Sequence, residues 1–65
     1  MNLKAKRMMK TWNRRAERNY KIAEDFRLYY KETGDEYDWE MHKEFVHRGQ
    51  LCEQIAADFK ELNGE

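Results

Sequence analysis

ETGDE, at residues 32–36, interrupts a chain that is otherwise rich in helix-forming residues. Gly34 suits the left-handed position that commonly ends a helix, and either Asp35 or Asp38 can cap the helix that follows. The sequence has no proline and 40% of its residues are charged, a composition that favours long helices over sheet. We therefore predict a turn near residues 33–37 between two helices.

Apolar residues recur on both sides of this turn at steps of three and four, which places them on one face of each helix. The first stripe consists of Ala5, Met8, Trp12, Ala16, Asn19, Ala23, Phe26 and Tyr30. The second is a heptad stripe of Met41, Phe45, Arg48, Cys52, Ile55, Phe59 and Leu62. Gly49 lies within the second helix, where it is expected to allow either close helix approach or a kink.

These patterns predict an all-α, antiparallel two-helix hairpin that forms one domain over residues 1–65. Helix 1 is expected at about residues 3–32 and helix 2 at about residues 38–62. Because a lone hairpin leaves half of each stripe in water, we expect two chains to assemble into a dimeric four-helix bundle. Asn19 and Arg48 fall at nearly the same level and are expected to form a buried polar layer.

This arrangement of helices and stripes resembles that of small plasmid hairpin regulators such as Rop, although no motif is shared. The resemblance implies dimerisation into a four-helix bundle and binding of RNA.

Charge is divided between the two halves of the chain although the net charge is zero. Residues 1–31 contain ten bases and three acids, a net charge of +7, and residues 32–65 contain three bases and ten acids, a net charge of −7. The hairpin is expected to place acids beside bases near the two termini. The acids are Asp58, Glu61 and Glu65, and the bases are Lys4, Arg7 and Lys10.

The outer face of helix 1 is the first candidate binding surface. It carries Arg7, Lys10, Arg14, Arg18 and Lys21. These bases extend along roughly 20 Å, which suits contact with nucleic-acid phosphates or with an acidic protein surface. The alternative is an ordinary solvated face that the acidic helix partly balances.

Large apolar residues near the turn are the second candidate surface. They point away from the two stripes and comprise Leu28, Tyr29, Trp39 and Val46. Residues of this kind either pack in an oligomer or anchor a partner.

Motifs for metal binding and catalysis are weak. Glu44 and His47 match the Glu-x-x-His pattern of di-iron bundles, but Phe45 occupies the core position between them. The spacing of five between His42, His47 and Cys52 turns successive side chains about 140° apart on a helix, so they cannot converge within one chain. We predict no metal, no cofactor, no catalytic residue and no enzyme activity.

The sequence thus predicts a non-enzymatic protein that self-associates and binds another macromolecule, with a protein as the favoured partner. A phage or mobile-element inhibitor or adaptor of a host protein fits this description. The alternative is a nucleic-acid-binding regulator that uses the basic face, but the acidic helix is expected to repel a polyanion. The absence of a long apolar run or signal-peptide segment, and the single cysteine, predict a cytoplasmic location.

Overall fold

A computed structural model, which describes residues 3–62, shows two long helices packed against each other. Helix α1 spans Leu3–Thr33 and helix α2 spans Glu36–Leu62. Together they form an antiparallel rod whose Cα positions extend over 49 × 12 × 12 Å. Within the described residues, neither helix is long and apolar enough to cross a membrane. The predicted all-helical hairpin is confirmed.

The turn is built from a left-handed glycine and an aspartate cap. Gly34 has a φ of 66°, and its N–H donates to the carbonyl of Tyr30 at 2.8 Å. This is the hydrogen bond that closes a helix ending in a left-handed residue. Asp35 Oδ1 then accepts the N–H of Tyr37 at 2.9 Å. Because Asp35 rather than Asp38 is the cap, α2 begins two residues before the predicted boundary.

The buried layer between the helices consists of small side chains only. Its members are Ala5, Ala16 and Ala23 from α1 and Gly49, Cys52 and Ala56 from α2. No large side chain within residues 3–62 is fully buried. Since interaxial distance depends on the side chains at the contact, this layer lets the two backbones approach closely.

The face that α2 turns towards α1 differs from the predicted heptad stripe. Gly49 and Ala56 are buried, whereas Leu62, a member of that stripe, is 70% exposed. At about 100° per residue, the observed inner face is rotated by about 60° from the centre of the stripe. Glycine and alanine occupy the central positions of the inner face because their small size permits the closer helix contact.

Gly49 lies at a point of very close contact. A Cβ atom added there would be 2.6 Å from Cε1 of Tyr20 and 2.8 Å from both Cδ1 and Cζ of the same ring. Of the two roles expected for Gly49, the structure shows close helix approach.

The predicted polar layer is wrong. Asn19 donates from Nδ2 to the carbonyl of Arg15 at 2.9 Å and lies 3.6 Å from Sγ of Cys52. Arg48 is instead exposed and pairs with Glu44 at 3.0 Å. The two side chains make different contacts because the long guanidinium reaches water, while the short amide bonds to its own helix.

All three ion pairs among residues 3–62 lie within a helix. They are Glu24–Arg27, Glu40–Lys43 and Glu44–Arg48. No ion pair in this part of the chain joins α1 to α2, so Asp58 and Glu61 do not neutralise the bases of α1 as expected. Glu65 lies outside the described residues. The opposite charges of the two helices are therefore not paired with each other across the interface in this part of the chain.

Candidate functional site

One side of the hairpin, which we call the apolar face, carries the large side chains that the interhelical layer does not hold. By helical spacing, it consists of Met8, Trp12, Ile22, Phe26, Met41, Phe45, Leu51, Ile55 and Phe59. The ring of Phe26 stacks on that of Phe45 with centroids 5.9 Å apart, which joins the helices across this face. Leu51 is 51% exposed and the others are half-buried. The apolar face is thus partly exposed to solvent.

A groove of about 620 Å³ opens in the middle of the apolar face. It is lined by Trp12, Arg15, Arg18, Asn19, Arg48, Leu51, Cys52 and Ile55. The guanidinium of Arg15 lies 4.5 Å from the ring centroid of Trp12, and that of Arg48 lies 4.8 Å from the ring centroid of Phe45. No carboxylate lines the groove. It therefore combines an apolar floor with a cationic edge.

The opposite side of the hairpin is polar, and a hydrogen bond joins the two helices there. The hydroxyl of Tyr20 donates to Oε1 of Glu53. This bond raises the pKa of Tyr20 above its ordinary value, because the ionised phenol would lose the bond and stand beside a carboxylate. The ring of Tyr20 lies against Gly49 on the same side.

The large residues near the turn do not form one patch. They are the predicted set Leu28, Tyr29, Trp39 and Val46. The ring of Tyr29 meets Phe26 edge-on at 6.0 Å, beside the apolar face. The ring of Trp39 packs against Tyr30 at 5.2 Å and His42 at 5.0 Å, towards the polar side. A partner site at this end of the rod stays a prediction.

The basic face of α1 is formed as the sequence indicates. Its side chains, all exposed, are Arg7, Lys10, Arg14, Arg18 and Lys21. Within residues 3–62, none of the five makes an ion pair, whereas Arg27, Lys43 and Arg48 each pair with a glutamate three or four residues away. The basic face is therefore a row of cations outside any ion pair, with Glu17 on the same side of α1 between Arg14 and Lys21.

The candidate metal ligands of residues 3–62 do not form a cluster. Glu44 is engaged in its ion pair, and His47 is exposed. Nδ1 of His42 lies 2.8 Å from the carbonyl oxygen of Ala23, and Cys52 is a buried free thiol. Within residues 3–62, no three histidine, cysteine or acidic side chains are grouped closely enough to hold a metal ion.

The groove is the feature that the sequence did not reveal. Leu51 and Arg15 belong to neither predicted stripe, and yet both line it. The available signal was the spacing of Gly49, Cys52 and Ala56, which marks a row of small residues along α2. Had that row been taken as the inner face, Leu51 would have fallen at the open edge.

Comparison with known proteins gives no match: no family model, no curated protein and no solved structure is similar to this chain. A proposal of its function therefore rests on the surfaces of the hairpin.

Proposed function

We propose that the protein is a non-enzymatic helical interaction module that self-associates through its apolar face into a homodimeric four-helix bundle. The observation that carries this proposal is the division between a buried layer of small residues and a partly exposed face of large ones. Burying a large apolar side chain contributes about 1.5–3 kcal/mol. The apolar face realises the remainder of that gain only when a second surface covers it.

The exposed area of the chain supports the same proposal. The chain exposes 5109 Å². A compact monomer of 8.1 kDa is expected to expose about 4,500 Å². The excess of about 600 Å² approaches the roughly 800 Å² that each partner buries in a standard interface. Two helices form a single layer, and a second layer packed on the apolar face would bury this excess exposed area.

Charge selects the symmetry of the dimer. The half of the chain that forms α1 carries +7 and the half with α2 carries −7. A two-fold axis parallel to the rod sets each α1 beside the α2 of the other copy, so that basic and acidic helices alternate around the bundle. A two-fold axis perpendicular to the rod and lying between the layers would place like-charged helices side by side. The parallel axis also brings the arginines of the groove next to an acidic helix.

Sedimentation equilibrium at micromolar concentration tests the dimer. We expect the wild-type chain to be dimeric and Leu51→Glu to be monomeric, because a carboxylate at the centre of the apolar face would be buried without a partner. Leu28→Glu is the matched control, since Leu28 is 46% exposed but points away from this face. A monomeric wild type, or equal effects of the two substitutions, would refute assembly through the apolar face.

A further inference from the structure

The basic face of α1 carries charge that no carboxylate within residues 3–62 pairs with. We propose that this face binds the phosphate backbone of double-stranded nucleic acid without reading its sequence. This inference goes beyond self-association and does not depend on it, because the basic face and the apolar face lie on different sides of α1 and share only Arg18, which also lines the groove.

The geometry of the basic face suits a linear polyanion. Its residues follow one another at steps of three, four, four and three, which keeps them on the side of α1 turned away from α2. From Arg7 to Lys21 the row extends about 21 Å at 1.5 Å per residue. A straight row of five cations can contact several successive phosphates of a duplex.

The same row opposes the stability of its own helix. Lys10, Arg14 and Arg18 are separated by four residues, a spacing at which like charges destabilise a helix. The first turn of α1 also contains no acidic residue to favour the helix dipole. Apart from Glu17, which stands three residues after Arg14 and four before Lys21, this arrangement opposes folding, whereas binding to a polyanion turns each of these cationic charges into an attraction.

Four acidic residues of α2 lie too far from the basic face to shield it. Glu36, Glu40, Asp58 and Glu61 fall on the side of α2 that is turned away from α1. Two helix diameters then place them about 20 Å from the basic face, well beyond the Debye length of about 8 Å at physiological salt. The repulsion expected from these four acids is thereby weakened, and Glu53 is already hydrogen-bonded to Tyr20 on the polar side.

The composition of the basic face points to duplex backbone. The row consists of arginine and lysine alone, with no aromatic side chain. Proteins that hold single strands combine cations with aromatic rings on which the bases stack. Contacts to phosphate fix position and carry no sequence information. We therefore expect binding to depend on backbone charge and to be similar for duplexes of unrelated sequence.

Fluorescence anisotropy with labelled duplexes of two unrelated sequences tests the proposal. With five phosphate contacts, the plot of log affinity against log salt should have a slope of about −4.5, which is about a 500-fold loss between 50 and 200 mM salt. A single strand of equal length and polyglutamate serve as competitors, and both should compete more weakly than the unlabelled duplex.

Two double variants with the same change in net charge locate the site. Lys10→Gln with Arg14→Gln should reduce the slope to about −2.7, because two contacts are lost. Lys43→Gln with Lys60→Gln, on α2, should leave the slope unchanged. Circular dichroism confirms that both variants keep their helicity. Leu51→Glu should retain the wild-type slope per chain, which separates this site from self-association.

Three results would overturn the proposal. One is undetectable duplex binding at 50 mM salt, where the release of counterions favours it most. Another is an equal reduction of the salt slope in the two double variants, which would show that net charge, and not the basic face, determines binding. The third is stronger competition by polyglutamate than by duplex, which would assign the basic face to an acidic protein.

Discussion

The contact between Gly49 and Tyr20 decides how Gly49→Ala should change stability. Whether this substitution stabilises or destabilises the protein depends on the ring of Tyr20. In an open helix, Gly→Ala stabilises by about 1 kcal/mol because alanine loses less backbone entropy. Here the new Cβ would lie 2.6 Å from Cε1 of Tyr20, far inside van der Waals contact. The ring must move away, or the helices must separate. Overpacking of this kind costs about 1–3 kcal/mol.

We therefore expect Gly49→Ala to destabilise the wild-type chain by up to about 2 kcal/mol, the cost of overpacking less the gain in helix propensity. In the background of Tyr20→Ala, where the ring is absent, the same substitution should stabilise by about 1 kcal/mol. The double-mutant cycle should thus show a coupling of about 1–3 kcal/mol between the two positions.

Urea denaturation followed by circular dichroism measures this coupling. All four proteins are compared at one concentration, because self-association would add to the apparent free energy of unfolding. Stabilisation by Gly49→Ala to the same extent in both backgrounds would refute the close approach of the helices at this point. It would also remove the reason for a rotated inner face of α2.

Two further predictions concern the polar side and the turn. The hydrogen bond to Glu53 should keep the Tyr20 hydroxyl protonated above its ordinary pKa of 10.0. The difference between absorbance titrations of the wild type and Tyr20→Phe isolates the titration of this group. Glu53→Gln should return the pKa of Tyr20 towards the ordinary value. Because the folded pKa is raised, the associated stability is complete below pH 10 and declines as pH rises through the folded value; an unshifted Tyr20 in the wild type would contradict the bond. Asp35→Ala should lower the free energy of unfolding by about 0.5–2 kcal/mol through loss of the cap on α2. Asp38→Ala is the control with a smaller expected effect, since Asp38 accepts only an exposed hydroxyl bond from Thr33; equal effects in urea denaturation would show that Asp35 is not the cap.

The helices and the turn were predictable because local chemistry decides them. Gly34 adopts the left-handed conformation that its lack of a side chain allows, and Asp35 caps the next helix by accepting the N–H of Tyr37, two residues further on. The basic face of α1 was equally predictable, since helical spacing alone assigns residues to one side of a helix. These features need no knowledge of what the helix packs against.

The assignment of inner and outer faces on α2 was not predictable in the same way. Leu51 becomes an exposed lining residue of the groove because Gly49 and Ala56, rather than the larger Ile55, face α1. Hydropathy ranks the large residues as core, but the distance between two helices is set by the smallest residues that can meet. That choice depends on both helices at once, and Tyr20 over Gly49 exists only as a contact between them.

The sequence by itself determined the two helices, their reversal at Gly34 and the uneven distribution of charge, because each depends on residues close together in the chain. Tertiary structure alone decided which apolar residues are buried and which remain open. It also decided that acids and bases pair within helices rather than between them. Both outcomes follow from close packing through small side chains, which turns the large apolar groups to one side and the charged groups outward.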